Sequence, residues 1–283
     1  MKIFEDFDLT DYNSYKIKAK CKRALFPETE QDIIEYYSGT NDPYLLGTGH
    51  NIILSKDYYD RDFVIFHGNF DKITIVDDLV EVEAGAFMWD ISKAALTAGL
   101  SGVEVFYDIP SSLGGAVVMN AGAGGEEVKD VLVKVRYFDL EDFTVKEILK
   151  EDMSFEYRNS FFQRNTNKIV LKAWLRLKKA DKTDIAIKME GVKASRWAKQ
   201  PKAFPNAGSV FKRPPGYYVG VLMDELNLKG YTVGGAKISE KHGGFIVNFN
   251  GATGQDILDI ITHVKNSVME KYSVDLEVEQ RII

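Results

Sequence analysis

The chain has 283 residues, long enough for two or three domains, each with its own core. A net charge of -6 at pH 7, with no long run of one sign, excludes nucleic acid as the main partner, because phosphate-backbone binding needs a basic stripe. Cys21 is the single cysteine, which excludes an internal disulfide and fits a reducing compartment.

The opening MKIFEDFDLTDYN has neither the basic region nor the apolar region of a secretory signal, and no apolar run approaches bilayer length. A cytosolic protein without membrane insertion is expected. Residues 28–38, ETEQDIIEYYS, predict a short helix with Ile33, Ile34 and Tyr37 on one side. PYLLGTGHNIIL, residues 43–54, predicts strand, glycine turn, strand; DFVIFHG, KITIVDD and LVEVEAG predict short strands. FMWDISKAALTAGL predicts a helix closed by Gly99. Strands grouped before a helix suggest a mixed α+β fold.

Residues 99–128 are the glycine-richest part, yet they include FYDIP and AVVMNA, so a packed loop-and-helix region is expected rather than a linker. Residues 129–180 predict strands around the insert DMSFEYRNSFFQRNTN, and residues 183–199 have helical composition. GYYVGVLMDELNLKG and TGQDILDIITHVKNSVMEKYSV predict two further helices. The second has a Thr253–Asp256 capping pair and an apolar face of Ile257, Ile260, Ile261, Val264 and Val268. DLEVEQRII predicts an alternating terminal strand, with Leu276 and Val278 on one face and Glu277, Glu279 and Arg281 on the other.

Several chemistries lack their signatures. There is no P-loop, CxxC or HExxH, and the four histidines are scattered, so no metal site is expected. GTGHNI lacks the third glycine of a Rossmann fingerprint, and GSVF is not a nucleophile elbow, which disfavours a serine hydrolase. GTGHN, residues 47–51, reads either as a hairpin turn or as a backbone nest for phosphate. Gly114, Gly115, Asn120, Gly122 and Gly124 form a second set of close-approach positions, explained either by helix packing or by a long pyrophosphate-centred cofactor contacted from two sides. Arg158 in YRNSF reads as a surface arginine covering apolar area or as a carboxylate fork. Ser209 in PNAGSVFKRPPG reads as a turn hydroxyl, or as a proton donor to a carbanion or enolate forming beside it.

Six segments in order, LGTGHNIIL, GLSGVEVFYDIPSSLGGAVVMNAGAGGEEVKDV, YRNSFF, KQPKAFPNAGSVFKRP, LKGYTVGGAKISEKHGGFIVN and LEVEQRII, resemble the UDP-N-acetylenolpyruvoylglucosamine reductases, the MurB family of flavoenzymes. The resemblance runs from about residue 45 to the end, and its short span from Arg158 to Ser209 is similar to the type II members. It implies an α+β fold: a two-subdomain, non-Rossmann FAD-binding unit followed by an α+β substrate-binding domain. The expected boundaries are 1–74 for the first FAD subdomain, to which residues 272–283 return, 75–198 for the second, and 199–271 for the substrate domain.

The implied activity is NADPH-dependent, FAD-mediated reduction of UDP-N-acetylenolpyruvoylglucosamine to UDP-N-acetylmuramate. Such an enzyme serves peptidoglycan synthesis in the bacterial cytoplasm, and through it cell wall biogenesis, cell shape and cell division. A monomer acting on a UDP-sugar is expected. The resemblance places FAD, held non-covalently, against Gly47, Thr48, Gly49, His50, Asn51, Pro110, Gly114, Gly115, Asn120 and Gly122. It implies that Arg158 and Glu279 stabilise an enol-like intermediate and that Ser209 protonates C2. Lys199, Lys212 and Arg213 are the expected substrate contacts.

Three positions depart from the family pattern. His50 stands where the family usually has serine, AGAGG replaces AGAYG, and YDIPSS replaces a GIPG-type sequence. His50 keeps open a rival flavin oxidase on the same FAD fold, which flavin retained through acid precipitation would favour. A non-catalytic nucleotide-binding homologue is the other rival, and inability to take up FAD would favour it.

Overall fold

The structure, a computed structural model, describes residues 1–39 and 42–283. It contains two compact units. The first comprises Met1–Phe4, Arg23–Thr48 and Arg61–Arg196; the second comprises Glu5–Lys22, Gly49–Asp60 and Trp197–Ile283.

The first unit is built on a five-stranded antiparallel sheet. Its order is Thr144–Leu149, Leu132–Asp139, Lys168–Arg176, Leu79–Glu83, Ile73–Val76. The strand Lys168–Arg176 is central and buried over most of its length, so both its faces carry apolar residues. The helix Leu113–Met119 lays Leu113, Ala116 and Val117 into the core. The helix Met88–Ala98 ends at Gly99, whose φ of 68° is the left-handed conformation that closes helices. The helix Glu30–Tyr37 starts on the Thr29–Asp32 capping box and buries Ile33 and Tyr37, while Ile34, expected on the same side, is half-buried. Tyr44–Leu46 pairs in parallel with Phe63–Ile65.

One charged cluster lies inside this unit. Asp139, 4% exposed, accepts from Lys168 Nζ at 2.5 Å, from Lys146 Nζ at 2.8 Å and from the Glu141 N–H at 3.0 Å. Burial alone would raise this carboxyl; the lysine and backbone donors outweigh it and hold it well below the usual carboxylate range. A depressed carboxyl contributes stability that is complete above its unfolded value and lost as pH falls through the folded one. Asp139→Asn is therefore expected to be less stable than the parent at pH 7. The gap between the urea midpoints of the two proteins should narrow as pH drops below about 4.

The second unit centres on the antiparallel strands Thr232–Val233, Ala236–Ile238 and Ile246–Asn248, covered by the helix Gly254–Tyr272. The Thr253–Asp256 capping box starts this helix, and Ile257, Ile260, Ile261, Val264 and Val268 are all buried, as the sequence predicts. Each such side chain contributes roughly 1.5–3 kcal/mol relative to exposure, against the entropy of ordering it.

Two expectations need correction. The helix predicted within residues 216–230 is only Val219–Glu225; no side chain caps its start, and Asn227 turns left-handed just past its end. DLEVEQRII is not one continuous strand. Lys212 N–H donates to Glu277 O and Glu279 N–H to Val210 O, giving a single bridge between Phe211 and Val278. The chain then changes partner, and Arg281–Ile282 pairs in parallel with Ile52–Ile53. The strands Lys2–Asp8 and Lys20–Phe26, like the three that centre the second unit, had no sequence-based expectation.

Candidate active site

GTGHN is not a hairpin turn, because the strands on either side of it have different partners, Phe63–Ile65 and Arg281–Ile282. Gly47 and Thr48 belong to the first unit, Gly49, His50 and Asn51 to the second. In the first unit, a Cβ on Gly47 would stand 2.6 Å from Ser112 Oγ, and Thr48 Oγ1 donates to Pro110 O at 3.1 Å. The segment reaching Gly114 is fixed in turn by residues 84–88. Gly114 N–H donates to Ala84 O, Leu113 N–H to Ala86 O and Met88 N–H to Ser111 O, each at 2.9 Å. Ser112 caps the short helix by accepting from Gly115 N–H at 3.3 Å. Two glycine-bearing loops thus touch: Thr48, Ser112 and Leu113 are buried in the contact, Gly47, Pro110, Ser111, Gly114 and Gly115 are partly exposed, and neither segment carries a carboxylate. This surface suits a pyrophosphate.

In the second unit, Gly49 has a φ of 71°, and a Cβ there would meet the Tyr12 carbonyl oxygen at 2.0 Å. Gly49→Ala should therefore lose about 3 kcal/mol or more, from left-handed strain plus the clash, and urea denaturation would show it. Gly124→Ala, where φ is 64° but the space is open, should lose only about 1–2 kcal/mol. His50 is half-buried, and Asn51 Nδ2 donates to Glu279 O at 3.3 Å.

Arg158 has a left-handed backbone, φ 53°, which is uncommon for a side chain of its size. Its Nη2 donates to Gly122 O at 2.8 Å and its Nη1 to Asn120 O at 3.2 Å, and Glu127 lies 3.8 Å away. Asn120 is fully buried and caps the helix Leu113–Met119 with a φ of 45°; its side chain donates to Glu127 Oε2 and Glu156 O, both at 3.0 Å, and accepts from Lys129 N–H at 3.2 Å. Gly122 is required by packing, since a Cβ would come 2.2 Å from Glu126 O across the hairpin. The bland reading, a surface arginine, does not fit these anchors: three predicted residues, Asn120, Gly122 and Arg158, form one hydrogen-bonded cluster.

Ser209 is exposed between two supports in the second unit. It bridges Phe245 on one side, and Val210 N–H donates to Gly244 O at 3.0 Å. On the other side Val210 O accepts from Glu279 N–H at 2.8 Å, so the predicted proton donor and predicted carboxylate lie on paired backbone segments. Burial pushes the nearby His242 imidazole down, and its Nδ1 accepts from Gly244 N–H at 3.2 Å, which fits a neutral ring. Lys212 is half-buried and paired with Glu277 at 2.6 Å, and Arg213 lies over the Tyr218 ring at 3.9 Å. Lys199 ends the helix Lys182–Lys199 and is exposed.

Sequence reasoning passed over Ser112, Glu127 and Gln280. A serine three residues before Gly115 and just before LGGAVVM is a visible helix cap. Alternation puts Gln280 on the same face as Leu276 and Val278, but nothing in the local sequence marks Glu127.

Residues 22–148 match the family model of an FAD binding domain, and residues 200–283 match that of the UDP-N-acetylenolpyruvoylglucosamine reductase C-terminal domain. With the paired glycine loops, this defines the class: an FAD-dependent oxidoreductase of mixed α+β fold. The chain is 40% identical over 281 residues to the UDP-N-acetylenolpyruvoylglucosamine reductase of Francisella tularensis subsp. tularensis, covering 99% of each. It is 38% identical to that of Caldanaerobacter subterraneus subsp. tengcongensis, covering 100% of this chain and 94% of the relative. The solved structure of the Thermus caldophilus enzyme aligns with a TM-score of 0.82 at 33% identity, over 99% of this chain and 98% of that one. The chain belongs to the UDP-N-acetylenolpyruvoylglucosamine reductase (MurB) family, the FAD- and NADPH-using reductases of peptidoglycan precursor synthesis.

Proposed function

We propose that the chain reduces UDP-N-acetylenolpyruvoylglucosamine to UDP-N-acetylmuramate, with Arg158, Ser209 and Glu279 as its catalytic residues. FAD, when bound, would supply hydride chemistry, with NADPH as the source of the hydride and C3 of the enolpyruvyl group as its destination. Negative charge then develops at C2 and spreads into the carboxylate. The Arg158 guanidinium offsets that charge, held in place by the carbonyls of Asn120 and Gly122. Glu279 is the second residue proposed to stabilise that intermediate. The Ser209 hydroxyl gives its proton to C2, which completes addition of two hydrogens across the double bond.

The observation that carries this reading is the pairing of the Ser209 and Glu279 segments through the Glu279 N–H to Val210 O bond. A proton donor needs exposure to the substrate carbon, and Ser209 is exposed.

Gly47, Thr48, Gly49, His50, Asn51, Pro110, Gly114, Gly115, Asn120 and Gly122 are the proposed FAD contacts. The uncharged, glycine-bearing contact between residues 47–48 and 110–115 supports that assignment. Lys199, Lys212 and Arg213 are the proposed contacts of the UDP-sugar. The proposed division assigns 1–74 with 272–283, and 75–198, to FAD, and 199–271 to substrate. The enzyme is proposed to act as a cytoplasmic monomer, with no nucleic acid partner and no membrane insertion. Among the described residues no helix is long and apolar enough to cross a membrane.

The test is product analysis. NADPH consumption should require UDP-N-acetylenolpyruvoylglucosamine, and the product should be the substrate plus two hydrogens. NADPH consumption that ignores this substrate would overturn the proposal.

A further inference from the structure

We infer that Gln280 is a positioning residue for Ser209, an inference that rests on the proton-donor reading above. Gln280 is only 4% exposed and sits in a stretch whose alternation puts neighbouring charged residues outward. Its Nε2 faces three successive backbone carbonyls, Ala207 O at 3.0 Å and Gly208 O and Ser209 O at 3.4 Å each. Carbonyls only accept, so the amide nitrogen must face them and the amide oxygen must face away. That oxygen accepts from the Tyr15 hydroxyl at 2.9 Å. Tyr15 is itself fully buried, and its backbone carbonyl accepts from Asn248 Nδ2 at 2.8 Å. The orientation of the Gln280 amide is therefore fixed on both sides.

The segment it grips needs fixing. Residues 206–208 belong to no helix or strand. Gly208 has a φ of 80° with nothing within 4 Å of a built Cβ, so neighbouring side chains do not wedge it in place. Asn206 holds its near end, accepting from Gly208 N–H at 3.2 Å and donating to Phe204 O at 2.9 Å. From Val210 onward the backbone bonds to Gly244 and Glu279 take over. Gln280 fills the interval between these two anchors, directly behind Ser209. Proton transfer needs donor and acceptor within about 2.6–3.2 Å, and a misplacement of about 1 Å can cost on the order of 10²-fold.

The test uses the FAD-loaded enzyme under anaerobic stopped flow. Reduction by NADPH and reoxidation by UDP-N-acetylenolpyruvoylglucosamine are timed separately for the parent, Gln280→Leu, Ser209→Ala and the double variant. Gln280→Leu should slow reoxidation by about 10–100-fold and leave reduction within about twofold. Added to Ser209→Ala, it should slow reoxidation by less than about twofold more, because the group it positions is gone. Tyr15→Phe removes the donor that orients the amide and should slow reoxidation by about 3–10-fold; it carries the test if Gln280→Leu does not fold. Unchanged reoxidation in the folded variant, equal slowing of both half-reactions, or losses that multiply in the double variant would each overturn the positioning role. If Ser209→Ala itself reoxidises at the parent rate, the proton-donor reading fails; if only the Gln280 and Tyr15 variants are silent, the positioning role alone fails.

Discussion

Ser209→Ala is expected to slow flavin reoxidation by the enolpyruvyl substrate by about 10²–10⁴-fold and to leave flavin reduction by NADPH unchanged. The split follows from where the proton is needed. Hydride leaves NADPH without a protein acid at Ser209, whereas the carbanion at C2 waits for one. The substitution removes a single exposed hydroxyl from a segment held by backbone bonds and by Gln280, so the fold should not notice it. Melting should stay within about 0.5 kcal/mol of the parent in free-energy terms. Stopped-flow timing of the two half-reactions, with a melt on the same protein, reads both outcomes. Loss of both half-reactions, or a large loss of stability, would assign Ser209 to the scaffold instead.

Arg158→Met is the second large effect, with an expected loss of about 10²–10³-fold in the reoxidation step. It removes the cation and leaves Asn120 O and Gly122 O without their guanidinium donors. Arg158→Lys should recover only part of the loss. A lysine restores the charge as a point but cannot reproduce a planar fork that spans two carbonyls. The left-handed backbone at Arg158 points the same way, since strain of this kind concentrates where a side chain must be aimed. Reoxidation rates of both variants, measured beside their NADPH reduction rates, check the ordering of parent, Lys and Met.

What the sequence made legible was whatever is settled locally. The Thr253–Asp256 box and the five-residue apolar face of its helix are decided within a few turns of chain, and both are present. Gly99 closes its helix for the same reason. Gly49 is different. Its glycine was visible, but its cause is the carbonyl of Tyr12, far earlier in the chain, and no local pattern carries that. Lys2–Asp8 escaped because it is exposed along nearly its whole length, so no buried face shapes its residues.

The terminal segment shows both limits at once. Alternation correctly buries Leu276 and Gln280 and turns Glu277 outward, but the change of partner after Val278 depends on Phe211 and Ile52, and the bond that orients Gln280 depends on Tyr15. The candidate residues were legible for a further reason. Asn120, Gly122, Arg158, Ser209 and Glu279 stand inside ordered blocks shared with a family, whereas spacing alone favoured the bland reading for Arg158 and for Ser209. The supports of those residues, Glu127 and Gln280, reach them through the folded chain: the local pattern turns Gln280 inward but does not show what it holds, and Glu127 left no local trace.

The central claim is that reduced flavin in this protein passes its electrons to an enolpyruvyl UDP-sugar. The direct measurement is anaerobic: reduce the FAD-loaded protein with one equivalent of NADPH, add UDP-N-acetylenolpyruvoylglucosamine, and follow flavin absorbance. The expected result is full return of the oxidised spectrum with one equivalent of UDP-N-acetylmuramate formed. A flavin that stays bleached with this substrate, and recovers only when oxygen is admitted, would contradict the claim.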